Sequence, residues 1–397
     1  MNHNSEFFNK SFLEEHILDT LTFYEPSVYD KSGGFFQYFL DDGTIYDHSR
    51  RHLVSSTRFV FNYATAANYF SNSKYKELAH HGLNFLEEFH FQKKTGGYAW
   101  LLDKDITLDA SNHCYGLAFV MIAGSTAILA GIDEGHKTLE KAYKLMERHF
   151  WNAKHELYSD EANEDFSKLS SYRGQNANMH ACEAMLWAFE ATKNKSYLER
   201  AIKLAENITQ RQAAKTDGLI WEHFNNDWEV DWDYNKNDPK NLFRPWGFQP
   251  GHQIEWAKLL LILNRYQPEN WHLQKAKVLF DIALNIAWDD KNGGIFYGFS
   301  PEREICDSDK YFWVQAEGFA AAALLAEATH EKIYYDWYEK IWKYSWKHMV
   351  DHQYGAWFRM LTHNNKKYDD KKSPAGKTDY HTMGACYEVL RTNIVSK

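Results

Sequence analysis

The stretch Gly96-Gly97-Tyr98-Ala99-Trp100 carries the fold, because its pattern comes back along the chain. Glycine followed by aromatic or large apolar residues recurs at Gly33-Gly34-Phe35-Phe36, Gly218-Leu219-Ile220-Trp221, Gly293-Gly294-Ile295-Phe296-Tyr297 and Tyr354-Gly355-Ala356-Trp357-Phe358, with a degenerate copy at Glu156-Leu157-Tyr158. The six copies lie roughly sixty to seventy-five residues apart. A fixed period of that size marks one supersecondary unit repeated, with room between copies for two helices and their loops. The chain therefore reads as a ring or stack of helical hairpins.

Apolar periodicity near 3.6 predicts helices over 5–24, 50–70, 74–91, 111–130, 134–150, 176–192, 196–213, 251–266, 269–288, 311–329, 332–349 and 379–395. Those opening just after a glycine-aromatic segment, such as Leu117-Ala118-Phe119-Val120-Met121-Ile122-Ala123 and Phe319-Ala320-Ala321-Ala322-Ala323-Leu324-Leu325, are apolar nearly all round and must be covered on every side. The others carry Lys and Glu stripes, as in Tyr197-Leu198-Glu199-Arg200-Ala201-Ile202-Lys203-Leu204, and belong outside. Six inner and six outer helices close into an all-α (α/α)6 barrel of six hairpins. The first helix fills the last outer position, and the glycine-aromatic segments form short β-hairpins or loops at one end. An open solenoid would leave apolar inner helices exposed at its ends unless they were capped. The polar segments 235–239 and 364–374 interrupt the period without changing it, so residues 1–397 read as a single barrel domain with long surface loops.

Composition narrows the functional classes. At 397 residues and 44% apolar the chain can bury a large core. Its net charge of −9 is spread without a basic block, which argues against a nucleic-acid partner. No apolar run approaches membrane-spanning length, and MNHNSEFFNK lacks the pattern of a secretory signal. Cys114, Cys182, Cys306 and Cys386 are far apart and suit reduced thiols of a cytoplasmic protein. The sequence leaves the oligomeric state open.

Chemistry gathers at the starts of the inner helices: Arg58, His113, Asn176 with His180, His252 with Glu255, Trp313 with Glu317, and His381. Two of these share the spacing His-x-x-Glu, His180/Glu183 and His252/Glu255, which places imidazole and carboxylate on one helix face. Such pairs are usually solvated surface pairs, but both stand on helices too apolar to be surface. Helix-borne His and Glu also build di-metal sites, yet those use more carboxylates than histidines, and His52, His80, His81 and His90 show no ligand spacing. No metal is therefore expected. Nor is a serine nucleophile, since no G-x-S-x-G elbow occurs.

Through Asn176-Ala-Asn-Met-His180-Ala-Cys-Glu183-Ala, Pro250-Gly-His252-Gln-Ile-Glu255-Trp, Trp313-Val-Gln-Ala-Glu317-Gly and the late His381, nearly the whole chain resembles the N-acylglucosamine 2-epimerase superfamily. Its members interconvert sugars at C1 and C2 inside an (α/α)6 barrel. The segment Arg51-His-Leu-Val-Ser-Ser-Thr-Arg58-Phe-Val-Phe-Asn-Tyr-Ala is most similar to the branch that converts mannose to fructose, rather than to the 2-epimerases of cellobiose or N-acylglucosamine.

The resemblance implies His381 and His252 as acid/base histidines, with Glu255 supporting His252. It implies Arg58, Asn176, His180 and Trp313 as sugar-binding groups, with His113 and Glu317 in binding or support. It implies a monosaccharide substrate and no cofactor. Aldose–ketose exchange through a cis-enediol needs a group that takes a proton from C2 and returns it at C1, and histidine titrates near working pH. Selectivity would rest on loops 168–175, 225–244 and 363–376, where Arg173 and Arg244 are placed to meet an anionic group if the sugar carries one. The competing readings are a sugar 2-epimerase of the cellobiose or N-acylglucosamine type, an aldose–ketose isomerase of another sugar such as lyxose or a sulfonated sugar, a glycoside hydrolase using Glu255 and Glu317 as its opposed carboxylates, and a non-catalytic scaffold.

Overall fold

The computed structural model describes residues 5–241 and 243–396. Twelve α-helices follow one another: α1 (Lys10–Tyr24), α2 (Leu53–Phe70), α3 (Ser73–Phe85), α4 (Cys114–Leu129), α5 (Glu134–Leu145), α6 (Gln175–Thr192), α7 (Lys195–Glu206), α8 (Pro250–Tyr266), α9 (Asn270–Ala287), α10 (Phe312–Thr329), α11 (Lys332–His348) and α12 (Tyr380–Leu390). The even-numbered helices form the inner ring, each touching the next, and α12 closes on α2. Each odd-numbered helix backs an inner one, and α1 backs α12. The chain is an (α/α)6 barrel, closed rather than open. The seam is sewn at both termini: Ser396 donates its N–H to Phe8 O at 2.8 Å, and the Tyr338 hydroxyl donates to Phe7 O at 2.6 Å.

Helix ends differ from the periodic reading in three ways. The outer helices α3, α5 and α7 finish in wider π-type turns (Leu86–His90, Met146–Phe150 and Asn207–Gln212). Residues Arg50–His52 form a strand that pairs with Leu101–Asp103, so α2 begins only at Leu53. Helix α12 stops at Leu390, and the tail turns first to α10 and then to the other end of the chain: Asn393 N–H donates to Glu327 and Ser396 N–H to Phe8 O, each at 2.8 Å.

Two devices explain why the glycine-aromatic segment repeats. An amide side chain from the following inner helix grips its backbone: Asn178 bonds both N–H and C=O of Tyr158, Gln253 those of Ile220, and Gln315 those of Ile295, all between 2.7 and 3.0 Å. These bonds satisfy buried backbone groups that no ladder reaches. In three copies an Asp just before the glycine pairs with a cation of the returning strand: Asp30 with Arg51 at 2.5 Å, Asp289 with Lys310 at 2.8 Å and Asp351 with Lys372 at 2.7 Å. Gly294 has φ +87°, and a Cβ there would lie 2.5 Å from Cζ of Tyr344 on α11, so turn and packing both demand glycine.

Candidate active site

Closing the ring brings the starts of the inner helices together around Trp313, the second residue of α10. His252, from the first turn of α8, lies 5.1 Å from its ring on one side, and His381, from the first turn of α12, 5.7 Å away. Gly251 makes this possible, since a Cβ there would sit 2.5 Å from the indole. The two imidazoles, more than a hundred residues apart in sequence, therefore share one aromatic platform.

Each imidazole is oriented by a carboxylate. The Trp256 indole N–H donates to Gln175 Oε1 at 2.7 Å, so the other end of that amide must be its NH2, which donates to Glu222 Oε2 at 2.9 Å. Glu222 is thereby an acceptor, and His252 Nδ1, 2.9 Å from both its oxygens, is the donor. His252 Nε2 is then the ring nitrogen without the hydrogen.

The same logic applies at His381. Arg58 can only donate, and its Nη2 lies 3.3 Å from His381 Nε2. That nitrogen is therefore the lone pair, and Nδ1–H donates to Glu317 at 2.7 Å. Burial, then Arg58, His180 and Lys258, hold His381 well below the ordinary imidazole range. Both influences favour the neutral ring.

Arg58 is itself fixed by Gly376 O, the Tyr115 hydroxyl at 3.2 Å and the faces of Phe119 and Tyr380. His180 donates Nδ1–H to Glu183 at 2.8 Å, and Tyr380, next to His381, donates its hydroxyl to the other Glu183 oxygen at 2.7 Å. Burial raises Glu183, but the hydrogen bond from His180 and the charge of Lys258 outweigh it and bring it to about 2. Burial lowers His180 more than Glu183 raises it.

The sequence reading needs one clear correction. Glu255 does not support His252; Glu222 does. Glu255 turns inward, and neither carboxylate oxygen has a hydrogen-bond partner among the described residues. One turn up from the C-terminal half of α8, it lies beneath the imidazoles, where burial and the neighbouring Glu317 push it well above the usual carboxylate range. Glu222 was missed because it comes from the loop after the fourth glycine-aromatic segment; its signal was its place directly after Trp221.

His113 ends the strand before α4. Its ring stacks on Trp100 at 3.9 Å, and its Nδ1 lies 3.5 Å from Glu161, a partner of Arg244. It belongs to the rim. Asn176 lies in the first turn of α6 with its side-chain oxygen unpartnered among the described residues. Arg173 and Arg244, placed by the sequence to meet an anion, are engaged: Arg173 with Ser170 O, Tyr172 O and Asn226, and Arg244 with Glu161 and Tyr234.

Below the imidazoles a cavity of about 40 Å³ runs between α6, α8 and α12, from Glu183, Lys258 and Glu317 toward Glu190 and Glu388. Ligand atoms of His180, Glu183 and Glu255, and of Glu255, Glu317 and His381, lie within 4.8 Å of one another. A metal cation there would contest the space with Lys258, whose Nζ is already 2.5 Å from Glu317 and 3.9 Å from Glu255.

With barrel and site in place, comparison with known proteins is decisive for the class. The N-acylglucosamine 2-epimerase family profile matches residues 34–385, and the chain belongs to that family. Within it, the chain is 58% identical over 387 residues to the D-mannose isomerase of Marinomonas mediterranea, covering 97% of this chain and 98% of that one. A crystal structure of a D-mannose isomerase superposes with a TM-score of 0.96 at 57% identity, covering 98% of this chain and all of the other. The cellobiose 2-epimerase of Bacillus thermoamylovorans, at 20% identity and TM-score 0.86 over 96% of this chain and 99% of its own, shares the fold. Among the described residues no helix is long and apolar enough to cross a membrane.

Proposed function

We propose that this protein interconverts D-mannose and D-fructose without a cofactor. The observation that carries the reading is the pair of carboxylate-oriented imidazoles, His252 and His381, flanking Trp313. The 58% identity to a D-mannose isomerase supports mannose as the sugar. The engagement of Arg173 and Arg244 within the protein favours a neutral sugar over an anionic one.

In this reading Trp313 carries the sugar, held also by Arg58, Asn176 and His180. His252 moves a proton at the ring oxygen and then at O1 and O2, opening the ring and interconverting the enediol. His381 Nε2 takes the proton from C2 and returns it to C1 on the same face. Glu317 receives the Nδ1–H bond that strengthens as the imidazolium forms, and Arg58 stabilises charge on the enediolate oxygens. His113 and Glu161 close the rim. Glu255, buried beneath, takes no direct part in moving protons at the sugar.

A hydrolase would need two carboxylates facing each other across an open cleft, roughly 5 to 10 Å apart. Here Glu255 and Glu317 lie side by side under the histidines, within 4.8 Å of His381, and are almost wholly buried. The test is incubation of EDTA-treated protein with D-mannose. Fructose is expected; glucose as the product would make it a 2-epimerase, and no product would defeat the reading.

A further inference from the structure

Lys258 is buried on the barrel axis, on an otherwise apolar stretch of α8, and no sequence motif or comparison gives it a task. Its surroundings come from four helices. Glu255 shares its own helix, Glu183 comes from α6, Glu317 from α10, and Tyr380 and His381 from α12. Its Nζ lies 2.5 Å from Glu317 Oε2, the oxygen opposite the one that receives His381 Nδ1–H. Burial raises both Glu255 and Glu317; Glu255, with no hydrogen bond to either oxygen, is pushed well above the usual carboxylate range, whereas Lys258 is the largest influence pulling Glu317 back down.

We infer that Lys258 is a positioning residue that acts on His381 through Glu317. By holding Glu317 as a carboxylate it keeps that group a pure acceptor, so the His381 proton stays on Nδ1 and the lone pair stays on Nε2, facing the sugar. Without the cation, Glu317 is the carboxylate left unbalanced, and in a buried site it neutralises by taking a proton. A protonated Glu317 can donate into Nδ1. That moves the imidazole hydrogen to Nε2 and removes the base. This inference rests on the isomerase reading for its kinetic test and on ion-pair and hydrogen-bond geometry alone for its spectroscopic one.

The test uses Lys258→Met, Glu317→Gln and the two combined. In Lys258→Met, kcat/KM at pH 7 is expected to fall about a hundredfold, the scale of a lost general base. The acidic limb of its pH profile should move up by one unit or more, so that activity returns at higher pH. Glu317→Gln alone should also fail, because Lys258 draws the amide oxygen to itself and turns the NH2 toward Nδ1. Combining the two frees that amide to rotate and present its oxygen to His381, whose Nε2 Arg58 still holds as acceptor. The double variant should therefore be at least tenfold more active than either single variant.

A double variant no better than the worse single one would overturn the inference, as would an unmoved acidic limb in Lys258→Met. If Lys258→Met does not fold, the charge-balanced double variant and Glu317→Gln still give the comparison. Histidine 15N spectra separate this claim from the function: His381 should be Nδ1-protonated in the wild type and in the double variant and Nε2-protonated in Glu317→Gln, whatever sugar is turned over. The same tautomer in all three would refute it. Wild-type protein that leaves mannose unchanged while the tautomers shift as stated would sink the isomerase reading and leave the Lys258 inference standing.

Discussion

Replacing Glu222 by Gln asks whether His252 is driven by the carboxylate that the fold supplies. The substitution keeps size and shape but removes the charge. Gln175, locked by Trp256, still needs an acceptor at Oε2, so the new amide places its oxygen there and its NH2 at the other position, 2.9 Å from His252 Nδ1. Two donors then face each other, or the imidazole changes tautomer and loses the Nε2 lone pair. A hydrogen bond to a charged partner is worth about 1.5–3 kcal/mol. At 1.36 kcal/mol per factor of ten, losing 2–3 kcal/mol from the transition state lowers kcat roughly 30- to 150-fold. Steady-state conversion of mannose, measured beside a thermal melt to confirm folding, reads this directly. Activity within about fivefold of wild type in a folded Glu222→Gln protein would refute the assignment. The matching control is Glu255→Gln, which should leave the His252 15N resonances in place.

Three further outcomes follow from the framework around the site. Gln315→Ala strips both partners from the Ile295 backbone, each worth about 1–3 kcal/mol when buried, and should lower the urea midpoint accordingly. Lys310→Met removes the cation of Asp289, which keeps its hydrogen bonds from Lys291 and Asn292, and should cost about 1.5–3 kcal/mol in the same assay, whereas Lys332→Met, on an exposed pair, should change stability by less than about 1 kcal/mol. Burial lowers His16 to about 4, His52 to about 3 and His90 to about 4. Below pH 6.5 the unfolded chain then binds protons that the native state refuses, so stability is full above about pH 7 and falls as pH drops toward 4. Up to about 3 kcal/mol is lost per histidine. Urea unfolding across pH 7 to 4.5 checks the sign; flat stability would contradict it.

Much of this architecture was legible in the sequence because it is written as a repeat. Three of the glycine-aromatic copies share the same amide grip, and the inner helices must be apolar nearly all round, so Phe319 to Leu325 and Leu117 to Ala123 announce the inner ring. His180/Glu183 was also readable, since spacing on one helix fixes that pair. What spacing could not show is who meets across the barrel. His252 and Glu255 have the same spacing as His180 and Glu183, yet a loop residue, Glu222, reaches His252 first and Glu255 turns to the interior. The Glu317–His381 and Arg58–His381 contacts span 64 and 323 residues, and only closure of the ring creates them. Helix ends were similarly hidden, because π-type turns and the seam at Ser396 depend on packing partners rather than local pattern.

The central claim is that His381 Nε2 carries hydrogen between C2 and C1. Proton NMR of D-mannose in D2O with wild-type protein and with folded His381→Asn tests it. The wild type is expected to form fructose and to deplete the C2 proton signal of mannose, while the variant does neither, with rates lower by a thousandfold or more. Fructose formation by His381→Asn within tenfold of the wild-type rate would contradict it.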